Sequence, residues 1–333
     1  MWKNPYLLLL ASTLAASSGV VAGTAAPVPE RGSTLSVVYE NDTFYNRDSH
    51  YTNGVRLSWI PGSAETPQWA LDLAGAIPWF PRDGQVLHGY SFGQNMYTPR
   101  DITLENPPDG ERPYAGWLYG SVGLGVETGL QLDQVVLTVG VVGPASLAEQ
   151  TQKAVHRLVN ADDPKGWDHQ LRNEPGLILA WQRNWRALVD TTLVGNEFDI
   201  TPHMGATVGN IHTYGNAGLT LRYGDNLPLD YGPPRIQPGL TGTNSFVPRP
   251  GIGWYVFAGV EGRAVARNIF LDGNSFHNGY SVEKKHWVGD LQFGAVLVWH
   301  NVRLSYTHVI RTREFDTQYE SDDFGSLAIS LQF

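Results

Sequence analysis

The chain has 333 residues, a formal net charge of −9 and no cysteine. Its length is compatible with one large β-sheet domain, and its negative charge argues against a nucleic-acid partner, which would require clustered lysine and arginine. Without cysteine there is no disulfide framework, no thiolate zinc site and no thiol nucleophile.

The first predicted element is a secretory signal peptide over residues 1–26. Lys3 supplies a positive start, an apolar run follows, and small residues up to Ala26 form a cleavage site. An N-terminal membrane anchor is the alternative, but the run is short and diluted by serine and threonine. Residues 27–333 then form the mature domain, in which no stretch of about 18 uninterrupted apolar residues predicts a membrane-spanning helix.

Alternation of apolar and polar residues predicts an all-β mature chain, a twelve-stranded antiparallel transmembrane β-barrel. In NVRLSYTHVI, every second residue from Val302 to Ile310 faces one way, and similar patterns recur along the chain. The predicted strands are residues 33–41, 52–60, 87–97, 113–127, 131–142, 174–186, 191–208, 211–224, 252–265, 286–299, 301–313 and 322–333. Their parity places the proline-rich stretch 225–251 at the periplasmic end, where turns should be short, so a miscount between 190 and 225 is an open alternative.

The C-terminal stretch GSLAISLQF ends inside a predicted strand on Phe333. A barrel pairs its last strand with its first and so leaves no free edge. The ending also resembles the C-terminal aromatic signature of bacterial outer-membrane proteins, which implies that the barrel-assembly machinery recognises Phe333. The prediction is an integral protein of the bacterial outer membrane. The alternative, a secreted β-sandwich, has no need of a terminal aromatic residue.

One segment departs from the β pattern, GPASLAEQTQKAVHRLVNADD, in the predicted extracellular loop 143–173. Ser146 and Glu149 have capping-box spacing, and Asn160 is a suitable C-terminal cap. Leu147, Thr151, Ala154, Val155 and Leu158 form an apolar stripe at helical spacing. An amphipathic helix is therefore predicted in this loop, with Gln152 and His156 on one flank.

The stretch YENDTFYNRDSHYTNGVRLSW joins the first two predicted strands through an unusually polar loop. Its oxygen- and nitrogen-bearing side chains are Glu40, Asn41, Asp42, Asp48, His50, Thr52 and Asn53. Carboxylate, amide and hydroxyl oxygens suit a hard cation such as Ca²⁺, and His156 on the neighbouring loop helix suits a general base. The alternative, that these are ordinary turn formers and a surface histidine, is equally open at this stage.

Two further functions are weighed against this one. Gly89–Gly93 reads GYSFG, a nucleophile-elbow pattern, but it lies in the middle of a predicted strand with Ser91 facing the lumen, where an elbow requires a strand–turn–helix context. An outer-membrane phospholipase would need a serine near a histidine on the barrel wall, and His88 points to the opposite face from Ser91. A passive porin would have no reason to build a histidine-bearing helix over its rim.

The stretches ENDTF, YTNGVRLSW, GQNMYTP, ERPYAGWLYGSVGLG, VGPASLAEQTQKAVHRL and NEPGLILAWQRNWR together resemble the lipid A 3′-O-deacylase family of Gram-negative outer membranes. The resemblance implies a twelve-stranded barrel and Ca²⁺-dependent hydrolysis of the ester that attaches the 3′ acyloxyacyl chain of lipid A. It assigns catalytic roles to His156, Gln152, Asn41 and Thr52. It assigns the metal to Asp42, Asn41, Thr52 and Asp162.

Two departures from the family pattern concern the loops. Where relatives carry glutamate six residues after the histidine, this chain has Asp162, which is one methylene shorter and adjacent to Asp163. A basic residue of the second extracellular loop has no clear match, and Arg100 is the nearest. Arg100, Arg112 and Tyr114 are the predicted substrate contacts, with a rim salt bridge and an aromatic-girdle residue as the alternative for the last two. Lys153, Arg157, Arg100 and Arg112 are the predicted counter-charges for lipid A phosphates.

Overall fold

The computed structural model describes residues 28–42, 50–237, 240–241 and 246–333, so the predicted signal peptide lies outside the described residues. The strands are β1 (Thr34–Asn41), β2 (His50–Ile60), β3 (Gln85–Thr98), β4 (Ala115–Glu127), β5 (Gln131–Val142), β6 (Glu174–Trp185), β7 (Val189–Leu193), β8 (Asn196–Gly209), β9 (His212–Asp225), β10 (Ile236–Gln237), β11 (Leu240–Thr241), β12 (Ile252–Asn268), β13 (Trp287–Trp299), β14 (Val302–Arg311) and β15 (Asp322–Gln332). The helices are α1 (Gln68–Ala76), α2 (Ala148–Val159) and α3 (Ile269–Asp272).

Twelve of these strands close into one antiparallel barrel, which confirms the predicted fold. The order around the wall follows the chain, and β1 pairs with both β2 and β15. The last strand therefore leaves no free edge, as a structure in lipid requires. Among the described helices, none is long and apolar enough to span a membrane.

One predicted strand, residues 191–208, is two strands in the structure. β7 pairs only with β8, and the chain reverses between them at Val194 and Gly195, which have φ of 51° and 88°. Glycine supplies this left-handed conformation without steric cost. The predicted strand runs through this turn, although the alternation breaks there: Leu193 and Val194 are both apolar, and Asn196 and Glu197 are both polar.

The wall is apolar outside and polar inside. Outward-facing residues such as Val37, Leu57 and Phe92 are 45%, 46% and 59% exposed, as expected for a surface that contacts lipid. Inward-facing residues are hydroxyl, amide and charged groups, for example Ser36 and Ser330, whose hydroxyls bond at 2.8 Å. Successive residues of a strand alternate between the two faces of the wall, so a residue's position in the strand tells whether its side chain faces the lumen or the lipid.

The two ends of the barrel differ. The terminus end holds the start of β1 and the end of β15, and the opposite end, called the loop end, carries α2, α3 and the connections 99–114 and 312–321. The proline-rich connection between β9 and β12 lies at the terminus end, as the strand parity predicts. The count between 190 and 225 is therefore correct, and the suspected miscount is not needed.

The proline-rich connection is long because part of it folds back into the lumen. Residues 226–237, called the luminal segment, are fastened by Asp230, Tyr231, Arg235 and Ile236. Asp230 forms ion pairs with Arg222 and with Arg303, the second at 3.0 Å. The Tyr231 hydroxyl donates to Glu127 at 3.2 Å, Arg235 donates to Gln292 at 2.7 Å, and the Ile236 amide donates to Glu40 at 2.9 Å.

Candidate active site on the outer wall

Polar residues collect on the outer wall at the loop end, where lipid-facing apolar residues would otherwise continue. Asn41 has the parity of the exposed Val37 on β1, and Thr98 has the parity of Phe92 on β3. Between these strands, the pairing of β2 with β3 shifts by one residue between His50 and Asn53. This bulge turns Thr52 toward Thr98, and their hydroxyl oxygens lie 2.7 Å apart.

The polar loop after β1 divides between the two sides of the wall. Glu40 faces the lumen, is completely buried, and accepts hydrogen bonds from the Tyr51 hydroxyl at 2.9 Å and from the luminal segment. Asn41 donates from Nδ2 to the Tyr39 hydroxyl at 2.9 Å, and Asp42 is only 3% exposed. The predicted candidate Asp48 lies outside the described residues.

Helix α2 lies against this part of the wall and contacts β3 and β4. It buries Ala148, Gln152 and His156, which are four residues apart and form one line along the helix. The apolar stripe is not the buried face: Leu147, Val155 and Leu158 are 53%, 42% and 85% exposed. The helix therefore presents its catalytic candidates to the barrel and leaves apolar side chains on its outer flank.

The predicted capping box at the start of α2 is wrong. The helix begins at Ala148 after Leu147, which adopts φ of 60°, and no side chain caps it. Ser146 belongs instead to a short 3-10 turn, Pro144–Ser146, and is buried. Glu149 makes an ion pair with Lys153 at 2.7 Å rather than reaching back to the first turn. The predicted C-terminal cap is confirmed, since Asn160 has φ of 55°.

The start of α2 is held tightly to the wall. Gly116 on β4 faces outward, and a side chain there would overlap Ser146 and Ala148. From β3, Gln94 donates its amide to the main-chain oxygen of Ser146 at 2.6 Å. The absence of a side chain on Gly116 is what allows the helix to approach the strands so closely.

Gln152 has a fixed amide orientation. The indole N–H of Trp167 donates to Gln152 Oε1 at 2.7 Å, and Trp167 is 1% exposed. Because an indole nitrogen can only donate, the amide oxygen must be the acceptor, and the NH₂ group points the other way. Gln152 Nε2 is buried and makes no hydrogen bond within the described residues. A buried N–H group without a hydrogen bond in the chain can donate one to an oxygen atom of a bound molecule.

His156 also has a fixed orientation. Its Nδ1 lies 2.5 Å from the main-chain oxygen of Asp162, and the side chain is 8% exposed. A carbonyl oxygen can only accept, so Nδ1 carries a proton and donates it to this contact. The carboxylate of Asp162 is exposed, and the metal role assigned to it stays a prediction.

The predicted substrate contacts divide into one accessible and two buried residues. Arg100 is exposed and lies 3.9 Å from Glu320. Arg112 is completely buried, pairs with Glu314 at 3.1 Å and lies over the inward-facing Tyr97. The prediction of a substrate contact at Arg112 does not fit this burial, and the alternative, a rim salt bridge, does. Burial alone would raise the pKa of Glu314, but Arg112 and Arg311 hold it below the usual value.

Tyr114 is likewise a supporting residue. It is completely buried, its ring centroid lies 5.0 Å from that of Trp167, and its hydroxyl donates to the main-chain oxygen of Ile102 at 3.3 Å. A substrate contact does not fit this position because no part of Tyr114 is accessible. Tyr114 instead supports the indole that orients Gln152.

Sequence reasoning missed Thr98, Trp167 and Gly116. Thr98 ends a predicted strand, so only its pairing with Thr52 reveals it. Trp167 lies in a short 3-10 turn, Gly166–His169, that has no periodic signal. Gly116 belongs to ERPYAGWLYG, and a glycine inside a strand is a general indication of close backbone approach.

These residues lie in one row of the outer wall. Strands β1, β2, β3 and β4 are consecutive neighbours, so Asn41 and Thr98 are two strand spacings apart, roughly 10 Å. Helix α2 lies over the far end of this row. The strip of outer wall that carries these residues, together with the buried face of α2, is here called the cleft and lies on the outward-facing side of the barrel.

The oxygen-bearing side chains beside the cleft are of the chemical types that bind a calcium ion. In the described part of the chain, no three histidine, aspartate or glutamate side chains are grouped for a metal. Among the described candidates, Asp42 supplies a carboxylate, and Asn41 and Thr52 supply amide and hydroxyl oxygens nearby. Ca²⁺ accepts carboxylate, amide and carbonyl oxygens, and a buried carboxylate requires compensation.

Comparison with known proteins agrees with this architecture. The family model described as "Outer membrane protein LpxR" matches residues 7–333. LpxR from Salmonella typhimurium matches with a TM-score of 0.72 and 20% identity, over 90% of this chain and 100% of that chain. The β domain of the Bordetella autotransporter BrkA matches with a TM-score of 0.44 and 10% identity, over 91% and 99%, which is too distant to support an argument. No curated sequence matches significantly.

The Salmonella structure supports the fold, and the family model covers nearly the whole sequence. The predicted family and location are thereby confirmed. The chain belongs to the LpxR family, the lipid A 3′-O-deacylases, and is an outer-membrane lipid A deacylase.

Proposed function

We propose that this protein is a Ca²⁺-dependent esterase that hydrolyses the 3′-linked acyloxyacyl chain of lipid A by direct attack of water. The observation that carries the proposal is the burial of Gln152 and His156 against the outer wall, while the apolar stripe of α2 is exposed. A helix that buries polar residues and exposes apolar ones is suited to a site that is entered from the lipid side.

His156 acts as the general base in this proposal. Nδ1 donates to the Asp162 carbonyl, and Nε2 is the ring nitrogen that accepts the proton of a water molecule in the reaction. The water attacks the ester carbonyl carbon and gives a tetrahedral intermediate. This intermediate collapses by breaking the bond between the acyl carbon and the sugar 3′ oxygen, which takes the proton back from His156, and the acyloxyacyl chain leaves as its carboxylic acid. Asp162 contributes its main-chain oxygen, which fixes the tautomer and the ring plane.

Gln152 supplies a hydrogen-bond donor for the ester oxygen. Its NH₂ group is directed away from Trp167, so it is available without prior reorganisation. A fixed donor that meets the negative charge of the tetrahedral intermediate contributes about 3–4 kcal/mol in well-studied hydrolases. Trp167 acts only through Gln152 and is a positioning residue.

The cation would be held by Asp42, Asn41 and Thr52. When bound, Ca²⁺ supplies positive charge that stabilises the negative charge developing on the ester carbonyl oxygen. Thr98 keeps the Thr52 hydroxyl oriented through their 2.7 Å contact.

The position of the cleft suits the substrate. Lipid A occupies the outer leaflet, so its ester groups lie near the loop end of the barrel wall. Lys153 and Arg157 lie on an accessible flank of α2, and Arg100 is exposed on a neighbouring loop. These cations complement the phosphates of lipid A.

The two other candidate functions are less well supported. Ser91 is an inward-facing residue of β3, whereas His88 faces outward and packs against Trp69, so they form no catalytic pair. A passive porin needs an open lumen, and here the luminal segment crosses it with ion pairs to Arg222 and Arg303.

Mass spectrometry of lipid A tests the proposal. Purified protein in detergent micelles with Ca²⁺ is expected to remove one 3′ acyloxyacyl group, and excess EDTA is expected to stop the reaction, with recovery on adding Ca²⁺ back. An unchanged acyl count with Ca²⁺ would refute the esterase. Full activity in EDTA would refute the metal requirement alone.

A further inference from the structure

Helix α1 lies outside the barrel, against the wall at the terminus end. It buries Ala70 and Ala74, which pack with Phe80 on the outward-facing Leu124 and Val126 of β4. These two wall residues are 5% and 1% exposed, although their parity is that of lipid-facing positions. The helix therefore takes the place of lipid over this part of the wall.

The rest of the helix is unusually apolar for an exposed element. Large apolar side chains on and just after α1 are 42–51% exposed: Trp69, Leu71, Leu73 and Trp79. Gln68 and Asp72 bond to each other at 2.8 Å on the side away from the wall. Exposed apolar groups at this density mark a contact surface.

The segment after the helix is fastened to the wall by specific bonds. Arg183 on β6 donates to the main-chain oxygen of Trp79 at 2.9 Å, and the same guanidinium pairs with the fully buried Asp133 on β5 at 2.9 Å. Residues 68–80, here called the α1 segment, thus reach across the outer wall from β3 to β6. The α1 segment is therefore packed and hydrogen-bonded onto the barrel surface as a fixed element.

An aromatic belt connects the α1 segment with the lipid-facing wall. Trp69 meets His88 edge-on at 5.9 Å, His88 meets Tyr90 at 5.8 Å, and Tyr90 stacks on Trp59 at 5.9 Å. From this belt toward the loop end, the outward-facing residues of the wall are exposed and apolar, as at Phe92. Aromatic residues of this kind collect where a bilayer meets water.

We propose that the α1 segment is a membrane-interface element that lies in the phospholipid leaflet on the periplasmic side. Trp69, Leu73 and Trp79 enter the boundary between headgroups and acyl chains, while Gln68 and Asp72 remain among the headgroups. A short amphipathic helix in this position binds by burying apolar area at the interface. This role is independent of the esterase proposal and of the cleft at the other end.

Site-directed fluorescence tests the proposal, because the chain has no cysteine. Leu73→Cys in the full chain would be labelled with an environment-sensitive fluorophore and folded into phosphatidylethanolamine–phosphatidylglycerol vesicles. Leu137→Cys, mid-wall on β5 and 46% exposed, is the control for lipid, and Asp190→Cys on the exposed β7 is the control for water. Trp79→Cys, outside the helix, is a second reporter should Leu73→Cys fold poorly.

The Leu73 and Trp79 labels are expected to emit to the blue of the Asp190 label. A quencher near the glycerol end of the lipid should quench them more than one near the acyl terminus, and the Leu137 label should show the reverse order. Emission equal to that of the Asp190 label, without lipid quenching, would overturn the proposal. A blue-shifted label that neither lipid quenches would also overturn it, because another protein surface would then cover the segment.

Discussion

Polar side chains are buried in two regions of this barrel, the lumen and the outer-wall cleft, and they are used differently. In the lumen, Asp230 pairs with Arg222 and Arg303, so both charges of each interaction belong to the chain. In the cleft, Gln152 Nε2 makes no bond within the described residues. His156 Nδ1 is held by the main-chain oxygen of Asp162.

The difference separates residues that hold the fold from residues that act on a ligand. The luminal charges at Asp230, Arg222 and Arg303 are paired with one another, so removing the carboxylate leaves buried positive charge less compensated. In the cleft, Trp167 and the main-chain oxygen of Asp162 fix the orientation of Gln152 and His156, and Gln152 Nε2 has no hydrogen bond within the described residues. Substitutions in the lumen should therefore lower stability with little effect on activity per folded molecule, and substitutions in the cleft should do the reverse.

The largest stability effect is expected for Asp230→Ala. It leaves Arg222 and Arg303 without their shared carboxylate, and breaking a buried pair typically costs about 3–5 kcal/mol. The urea midpoint, read from heat-modifiable migration, should fall, while lipid A deacylation per folded molecule should persist. Asp190→Ala at the exposed β7 is the control. An unchanged midpoint would show that the luminal segment is not held by these charges.

Asp42→Asn should remove most activity and weaken the response to Ca²⁺. Losing this carboxylate is expected to lower deacylation at least about 100-fold, since a metal at the oxyanion contributes several kcal/mol. Asp101→Asn is the control, because Asp101 is in an exposed loop and bonds to Thr103. If the Ca²⁺ concentration for half-maximal rate stayed the same, Asp42 would not be a ligand.

Trp167→Phe should lower kcat about 10-fold with little change in KM, since the amide of Gln152 loses the bond that fixes its orientation. The matched control is Trp181→Phe, which removes an indole N–H bond to Asp133, 3.3 Å long, at the terminus end. Equal losses in the two variants would indicate a general packing effect. Measurement of both kinetic constants on a soluble ester substrate separates these outcomes.

The smallest effect is expected for Asp162→Asn, because only the main-chain oxygen of Asp162 contacts His156 in the proposed mechanism. Less than about a twofold change in deacylation is predicted, within the range usual for surface substitutions. A loss comparable with that of Asp42→Asn would instead support the metal role that the family resemblance assigns to this carboxylate.

The strands and the existence of α2 could be predicted from sequence because they depend on local periodicity. Period-two alternation located the twelve strands, and the stretch around His156 had helical spacing. The split at Val194 and Gly195 was missed, although the alternation breaks there between the adjacent apolar residues Leu193 and Val194. The luminal segment, as at Asp230, has no period at all, so its path depends on partners far away in the chain.

The sequence could predict which residue types the cleft contains, but not how they are arranged in space. Asn41, Thr52 and His156 were identified from motifs, whereas Thr98 and Trp167 become visible only through contacts across strands and loops. Spacing along α2 could not decide which of its faces meets the barrel. The usual rule that the apolar stripe of a helix is buried fails for α2, because its apolar residues Leu147, Val155 and Leu158 are exposed.

The most direct test of the central claim is to measure deacylation and stability together for His156→Ala. In micelles with Ca²⁺, removal of the base is expected to lower the rate of lipid A deacylation by about 10²–10⁴-fold, with the urea midpoint equal to that of the unmodified protein. Activity within a few-fold of the unmodified protein would show that His156 is not the base. A large fall in the urea midpoint would show that the cleft, like the lumen, serves mainly to hold the fold.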